Sequence, residues 1–314
     1  MEIITDKNYV GLRNIWDNER VLALLMLAPA IIYIVAFVGF PLILAILYSL
    51  SGATTGDMSI KFVGLRNFQA VMQDPIFRKA LKNTFIFVLV SQALVLVLSK
   101  ALALILMKDF RGKWLVRFLI LLPWTAPISL GTIGWMWMLD SIFSPIDWIL
   151  RQMGLLGAPH SIFGCNSNLY WLGMPGLAMT SVILVHTWRM LPLATVILLG
   201  GLSAIPQDIL DAAEIDGAGF WRRLFHIIIP MMLPIINIAL LFGVIFTFTD
   251  MTVVYVLTRG GPVHSTQVLA SWAFFKGIEA GDLAQGAAIA LFFLPILAGV
   301  SILILRIARR AEVT

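Results

Sequence analysis

The sequence predicts an all-α, polytopic membrane protein with six transmembrane helices, and three observations carry that prediction. Hydrophobic residues make up 60% of the 314-residue chain and charged residues only 12%, about half of the roughly 25% found in soluble domains. Six stretches almost free of charge, 21–50, 83–107, 118–139, 174–200, 227–249 and 283–305, each meet the requirement of about 20 apolar residues for crossing a bilayer. The segments between them are rich in turn-forming and charged residues, as connections between spans are.

Taken in order, residues 1–20 read as a mixed-charge tail at the membrane surface. The span at 21–50 is too long for the h-region of a cleaved signal peptide, which runs about 7–15 residues, and reads as a signal anchor. Residues 51–82 mix polar and apolar positions as short surface helices do. The turn "KDFRGKW" (108–114) follows the second span, and the third carries Pro123 and Pro127. A loop at 140–173, rich in Gly, Pro, Ser and Asn, leads to the fourth span with Pro192. The fifth span carries Pro230 and Pro234, the segment 251–282 contains the turn "LTRGGPVHST", and the sixth span ends in "RIARR". Proline in a span frees a backbone carbonyl that a neighbour or water must satisfy. Prolines in five of six spans suit helices that line a cavity and move.

Charge sets the expected orientation. With the N-terminus inside, twelve Lys and Arg residues fall on the inner side and eight on the outer, five of the eight in the first outer segment. The positive-inside rule then places both termini, including a short end at 311–314, in the cytoplasm. The net charge of +5 is spread over short loops beside lipid headgroups, so no nucleic-acid partner is expected. The single cysteine, Cys165, allows no internal disulfide.

One segment breaks the apolar pattern. In "AIPQDILDAAEIDGAG" the acids Asp208, Asp211, Glu214 and Asp216 lie within nine positions. Pro206 suits the first position of a helix, Asp208 the positive end of its dipole, and Gly217 its C-terminal stop. A helix over about 206–217, too polar to span, is expected at the inner surface, with Ala212 and Ala213 thin enough to enter a cleft on another molecule. "FWRRLFHIII" then re-enters the bilayer.

Asp211-Ala212-Ala213-Glu214, Asp216-Gly217-Ala218 and the Ile-x-x-Pro ending at Pro230 resemble the EAA motif of the inner-membrane permeases of bacterial ABC importers. That motif has Glu where this chain has Asp211, and Leu where it has Ile229. "FVGLRNF", "DPIFRKALKNTF", "TWRMLP" and "TFTDMTVVYVLTRGGPVHST" extend the resemblance to the di- and oligosaccharide class over roughly residues 20–310. The resemblance implies a type I ABC importer permease fold over residues 21–310, in the bacterial inner membrane. It also implies that the 206–217 helix is a coupling helix seated in a groove of an ATPase subunit. The implied partners are a second homologous permease, two copies of a cytoplasmic P-loop ATPase, an extracytoplasmic sugar-binding protein docked around Gly260-Gly261-Pro262, and membrane lipid. No G-x-x-x-x-G-K-[ST] loop occurs in the chain, since Gly112-Lys113 is followed by Trp114. ATP and Mg belong to the partner ATPase, and this chain is expected to bind no cofactor or metal and to be no enzyme.

Ionisable residues inside spans are functional candidates: Lys100, which can snorkel to the interface, and His186, Arg189 and Asp250. Arg189 is alternatively close enough to the inner end of its span to brace the acidic loop. A sugar needs polar groups for its hydroxyls and aromatic faces for its C–H surface, and Trp135, Trp137, Phe246, Phe248, Asp250 and Tyr255 supply those types. Three other functions fit parts of the sequence. A glycerol-phosphate or polyol importer shares the motifs. An intramembrane prenyltransferase would pair "DILDAAEID" with a second acidic cluster, which the chain lacks. An ion-coupled transporter would carry acids in the central turns of its spans.

Overall fold

The computed structural model describes residues 19–166 and 168–312. Most of the tail expected at 1–20 and the last two residues of the end expected at 311–314 lie outside the described residues. Among the described residues the chain is helical, and its one β-type contact is an isolated bridge between Ser51 and Phe62.

Helix α1 (Glu19–Ser49) is an apolar rod of 31 residues whose most hydrophobic stretch has no buried residue on the single chain. Only its last turns pack on the rest of the protein, against α12. Asn67 holds that end by donating its amide to the carbonyls of Ser49 (2.8 Å) and Ser51 (2.7 Å). It belongs to α2 (Arg66–Gln73). Asp74 then caps α3 (Pro75–Met107), accepting from the Ile76 N–H at 2.8 Å with Pro75 in the first turn. The "DPIF" string is thus a helix start, and the second span begins eight residues before the apolar run does.

The third span departs from the expected single helix. α4 (Lys113–Thr125) and α5 (Ile128–Met138) meet at 100°. Pro127 forces the residue before it out of the helical region, and Ala126 is extended at φ −71°, ψ 143°. α4 packs on α7, whereas α5 packs mainly on α10 and keeps α7 through Trp135 against Trp188. A short helix, α6 (Pro145–Gln152), follows. Its buried Asp147 ties down the next loop by accepting from the Leu169 N–H (2.9 Å) and from Trp171 Nε1 (2.8 Å).

α7 (Pro175–Ser203) forms the axis of the fold. It packs along α3 more extensively than any other helix pair, and both helices bury small polar residues such as Ser91, Ser99, Ser181 and Thr195, the side chains that let membrane helices approach closely. α8 (Gln207–Ile215) follows, then α9 (Phe220–Thr249). α10 (Thr252–Thr258), α11 (residues 269–279), α12 (Leu283–Leu291) and α13 (Phe293–Glu312) complete the chain. The last two read as one span over Leu283–Ile307.

Two prolines inside spans are accommodated in the same way. A single wide π turn over Val35–Gly39 precedes Pro41, and another over Leu224–Ile228 precedes Pro230. Proline clashes with the carbonyl four residues back. In each case the N–H just before the proline reaches back to the first residue of the turn, Phe40 to Val35 and Ile229 to Leu224, which widens the helix where the ring needs room.

Candidate functional site

The polar segment is a helix of nine residues, Gln207–Ile215, between the ends of α7 and α9. Pro206 stands at its N-cap, one position ahead of the expected place. Its C-terminus closes as a Schellman motif: the Ala218 N–H donates to Ala213 O (2.9 Å) and the Gly217 N–H to Glu214 O (3.0 Å). Gly217 takes the left-handed conformation this needs, at φ +72°. The underside is its own. Leu210 packs on the cluster of Ala103, Leu198, Leu202, Leu224 and Ile228, where α3, α7 and α9 converge, and Ala213 is buried.

This corrects one expectation. Ala213 does not face outward with Ala212; it seats α8 on the chain's own body. Asp208, Asp211, Ala212, Glu214, Ile215, Asp216 and Gly217 are exposed, and Ala218 is half-buried. The uncovered face therefore runs from Asp208 through Ala212 to Ile215, which is 86% exposed. Glu214 is steadied by Arg223 at 3.3 Å, and Asp211 by the Gln207 amide at 2.9 Å.

The second assembly lies at the middle of α7. Asp250, at the junction of α9 and α10, is almost fully buried and accepts four hydrogen bonds. Its Oδ2 takes His186 Nδ1 (2.8 Å) and Arg189 (3.1 Å), and its Oδ1 takes the N–H groups of Thr252 (2.8 Å) and Val253 (3.4 Å). His186 Nε2 meets Thr247 Oγ1 at 2.9 Å, and Gln92 donates to the same oxygen at 2.6 Å. Gln92 fits there because Gly243 has no side chain: a Cβ at Gly243 would lie 2.0 Å from Gln92 Oε1. Arg189 is the member of this network that reaches the surface, its side chain 25% exposed. It lies over Trp124 at 5.9 Å, and Trp124 meets Phe246 edge-on at 5.9 Å.

Arg189 is therefore no brace of the acidic loop. It stands about 21 Å along α7 from Ser203, at 1.5 Å per residue, and its partner is Asp250. Lys100, on the same bundle, is half-buried in α3.

The aromatic candidates separate by burial. Phe246 lines the patch with Trp124 and Arg189. Phe248, on the opposite side of α9, is 1% exposed and packs against Phe85 and Phe293; it is a core residue. Trp135 packs on Trp188 at 5.6 Å within the core cluster around Phe87. Trp137 is 80% exposed and lines a cavity of about 240 Å³ with Asp140, Phe143 and Pro145. Tyr255 donates to Glu279 Oε1 at 2.5 Å and carries Arg259 over its ring. The bond to Glu279 raises its phenol above the ordinary value.

Gly260-Gly261-Pro262 is a scaffold more than a surface. Gly260 is buried, and a Cβ there would come within 2.2 Å of the Gln267 amide carbon. Lys79 and Asn83 of α3 hold the loop by donating to Val263 O (3.0 Å) and Ser265 O (2.8 Å). The exposed apex is Val263, in the left-handed region at φ +47°.

Sequence reasoning missed Trp124 and treated His186, Arg189 and Asp250 as separate candidates. Tryptophan inside an otherwise aliphatic stretch was the available signal. The pairing had none, because 61 positions separate Arg189 from Asp250.

Comparison with known proteins agrees with this architecture. Residues 96–313 match the family described as binding-protein-dependent transport system inner membrane component. The chain is 30% identical over 298 residues to the sulfoquinovosyl glycerol transport system permease SmoG of Agrobacterium fabrum, covering 94% of this chain and 92% of that one. It is 31% identical to the trehalose/maltose transport system permease MalF of Thermococcus litoralis, covering 93% and 95%. A chain of a bacterial ABC transporter that imports the acidic polysaccharide alginate superposes with a TM-score of 0.77 at 18% identity, over 96% of this chain and 98% of that one.

Proposed function

Since the chain belongs to the family of binding-protein-dependent transport system inner membrane components, we propose that it forms half of the translocation pathway of an ATP-driven sugar importer. In this reading a second homologous permease supplies the other half, two copies of a separate P-loop ATPase supply the energy, and an extracytoplasmic binding protein delivers the sugar. ATP and Mg stay with the ATPase, both termini are cytoplasmic, and this chain carries out transport without catalysis of its own.

The observation that carries the reading is α8. A short helix with a locked C-terminus and an apolar underside is fixed to the three helices that converge beneath it, while its acidic and apolar outer face is left uncovered. A solvated loop would need neither the seat nor the Schellman lock. Asp208, Asp211, Ala212, Glu214, Ile215 and Asp216 meet the ATPase, and Gly217 and Ala218 hold the end of the helix.

The sugar passes the patch of Trp124, Arg189 and Phe246, with Asp250 behind Arg189. Trp137 and Tyr255 are candidate contacts nearer the far end, and Val263, raised by Gly260, Gly261 and Pro262, meets the binding protein. The switch is alternating access: closure of the ATPase pair drags α8, α8 moves α7, and the polar patch is exposed to one side and then the other.

The test is affinity purification of the tagged chain from its native membranes in mild detergent, with mass spectrometry of what accompanies it. Recovery of a second multi-span permease and a P-loop ATPase is expected. A chain that purifies alone and still transports sugar refutes the reading.

A further inference from the structure

Which sugars pass is an open question of charge, because the relatives' names include neutral trehalose and maltose and an acidic polysaccharide. The geometry around Arg189 points to an uncharged ligand, with Asp250 as the residue that sets this preference. The inference rests on the proposed position of the sugar at the patch of Trp124, Arg189 and Phe246.

The argument is one of capacity and charge. A guanidinium carries five N–H donors. Arg189 makes one hydrogen bond to a side chain, to Asp250 at 3.1 Å, and stacks one face toward Trp124. Its remaining donors have no protein partner among the described residues, although three quarters of the side chain is buried. Those donors are open to an oxygen acceptor, and the Trp124 ring, over which the guanidinium lies at 5.9 Å, leaves that acceptor in the plane of the guanidinium.

Asp250 cannot supply that acceptor or receive a ligand hydroxyl, since both its oxygens are taken by His186, Arg189, Thr252 and Val253. It does cancel the charge. The Asp250 carboxylate lies 3.1 Å from the Arg189 guanidinium, so these two side chains form a pair of opposite charges, and His186 holds the carboxylate in place from Nδ1 at 2.8 Å. A sulfonate, phosphate or carboxylate brought to Arg189 would lose its water at the depth of the bundle with no uncompensated positive charge to meet it, and would feel the Asp250 carboxylate behind the guanidinium. A sugar hydroxyl or ring oxygen carries no such cost. It can accept from Arg189 while its C–H faces lie on Trp124 and Phe246.

The experiment uses the assembled permease–ATPase complex in detergent, without the binding protein, so that the binding protein's own selectivity does not enter. Ligand binding is measured by calorimetry with maltose and trehalose as neutral probes and with digalacturonate and glycerol 3-phosphate as anionic ones. In the wild-type complex the neutral probes are expected to bind at least about ten-fold more tightly. Asp250→Asn, which keeps the cap on α10 through its carbonyl oxygen, should remove that preference by strengthening the anions about ten-fold.

Anions that bind wild type as well as neutral sugars do, or an Asp250→Asn variant that still folds by thermal melt with an unchanged ratio, would overturn the inference. Arg189→Gln separates it from the reading beneath it. If that change weakens neutral sugars but the anions bind equally well in wild type, only the charge preference fails. If binding of every probe is indifferent to Arg189→Gln, the position of the sugar fails.

Discussion

Ala212 and Ala213 are neighbours in sequence with opposite surroundings, and substituting each with leucine separates the two faces of α8. Ala213 is 6% exposed on the side that seats α8 on α3, α7 and α9. Leucine adds three carbons where there is no room, and overpacking of this size costs about 1–3 kcal/mol. The relief is to lift α8 from its seat. Ala212 is exposed, so Ala212→Leu should change the stability of the isolated chain by no more than about 0.5 kcal/mol. Its effect falls on the partner instead, because the side chain enters whatever groove receives the helix. The assay is paired: thermal unfolding of the purified chain, and ATP hydrolysis by the assembled complex with loaded binding protein. Ala213→Leu should lower the melting temperature, whereas Ala212→Leu should leave it unchanged and abolish stimulated hydrolysis. If Ala212→Leu melts early, or if stimulated hydrolysis survives it, then α8 is not a docked helix with one face for each molecule.

Three further outcomes follow from the geometry. Asp250→Ala leaves His186 and Arg189 without their carboxylate, and breaking a buried pair of this kind costs about 3–5 kcal/mol, so the variant should melt well below Asp250→Asn. Pro127→Ala removes the constraint on Ala126, and a spin-label pair placed on α4 and α5 should report a longer distance as the 100° bend opens; an unchanged distance would mean that packing of α5 on α10 sets the angle. The Asp57 carboxyl is lowered from 3.8 to about 2, first by the Ser59 hydroxyl, then by the Ser59 N–H and Lys61. A depressed carboxylate stabilises its loop above pH 3.8 and loses that contribution as pH falls through 2, so carbon NMR of Asp57 should titrate near 2 and move up in Ser59→Ala.

The spans and the polar helix were legible in the sequence because apolar length and local capping are properties of adjacent residues. The bend at Pro127 was half legible: proline marks a break, but whether a span kinks or turns through 100° depends on what α5 finds to pack against. Burial was least legible. Phe246 and Phe248 are two residues apart on a uniformly apolar helix, and nothing in the local pattern says which one faces the core. Ala212 and Ala213 pose the same problem on α8, where the inward residue is fixed by Leu210 one turn earlier. Of the four bonds to Asp250, the two from Thr252 and Val253 are local, but those from His186 and Arg189 needed α7 brought to the junction of α9 and α10, and spacing along the chain carries no trace of them.

α7 carries Arg189 at its middle and leads directly into α8. Treated as a lever about 42 Å long, at 1.5 Å per residue, and hinged near Pro175, it halves at Arg189 whatever travel α8 is given. A tilt of about 4° moves Ser203 by roughly 3 Å and Arg189 by roughly 1.5 Å on that length. The bond from Arg189 to Asp250 starts at 3.1 Å and has only a few tenths of an ångström of slack before it ceases to be a hydrogen bond. A stroke that small already obliges Asp250 either to let go or to follow, and if it follows, the end of α9 and the whole of α10 go with it.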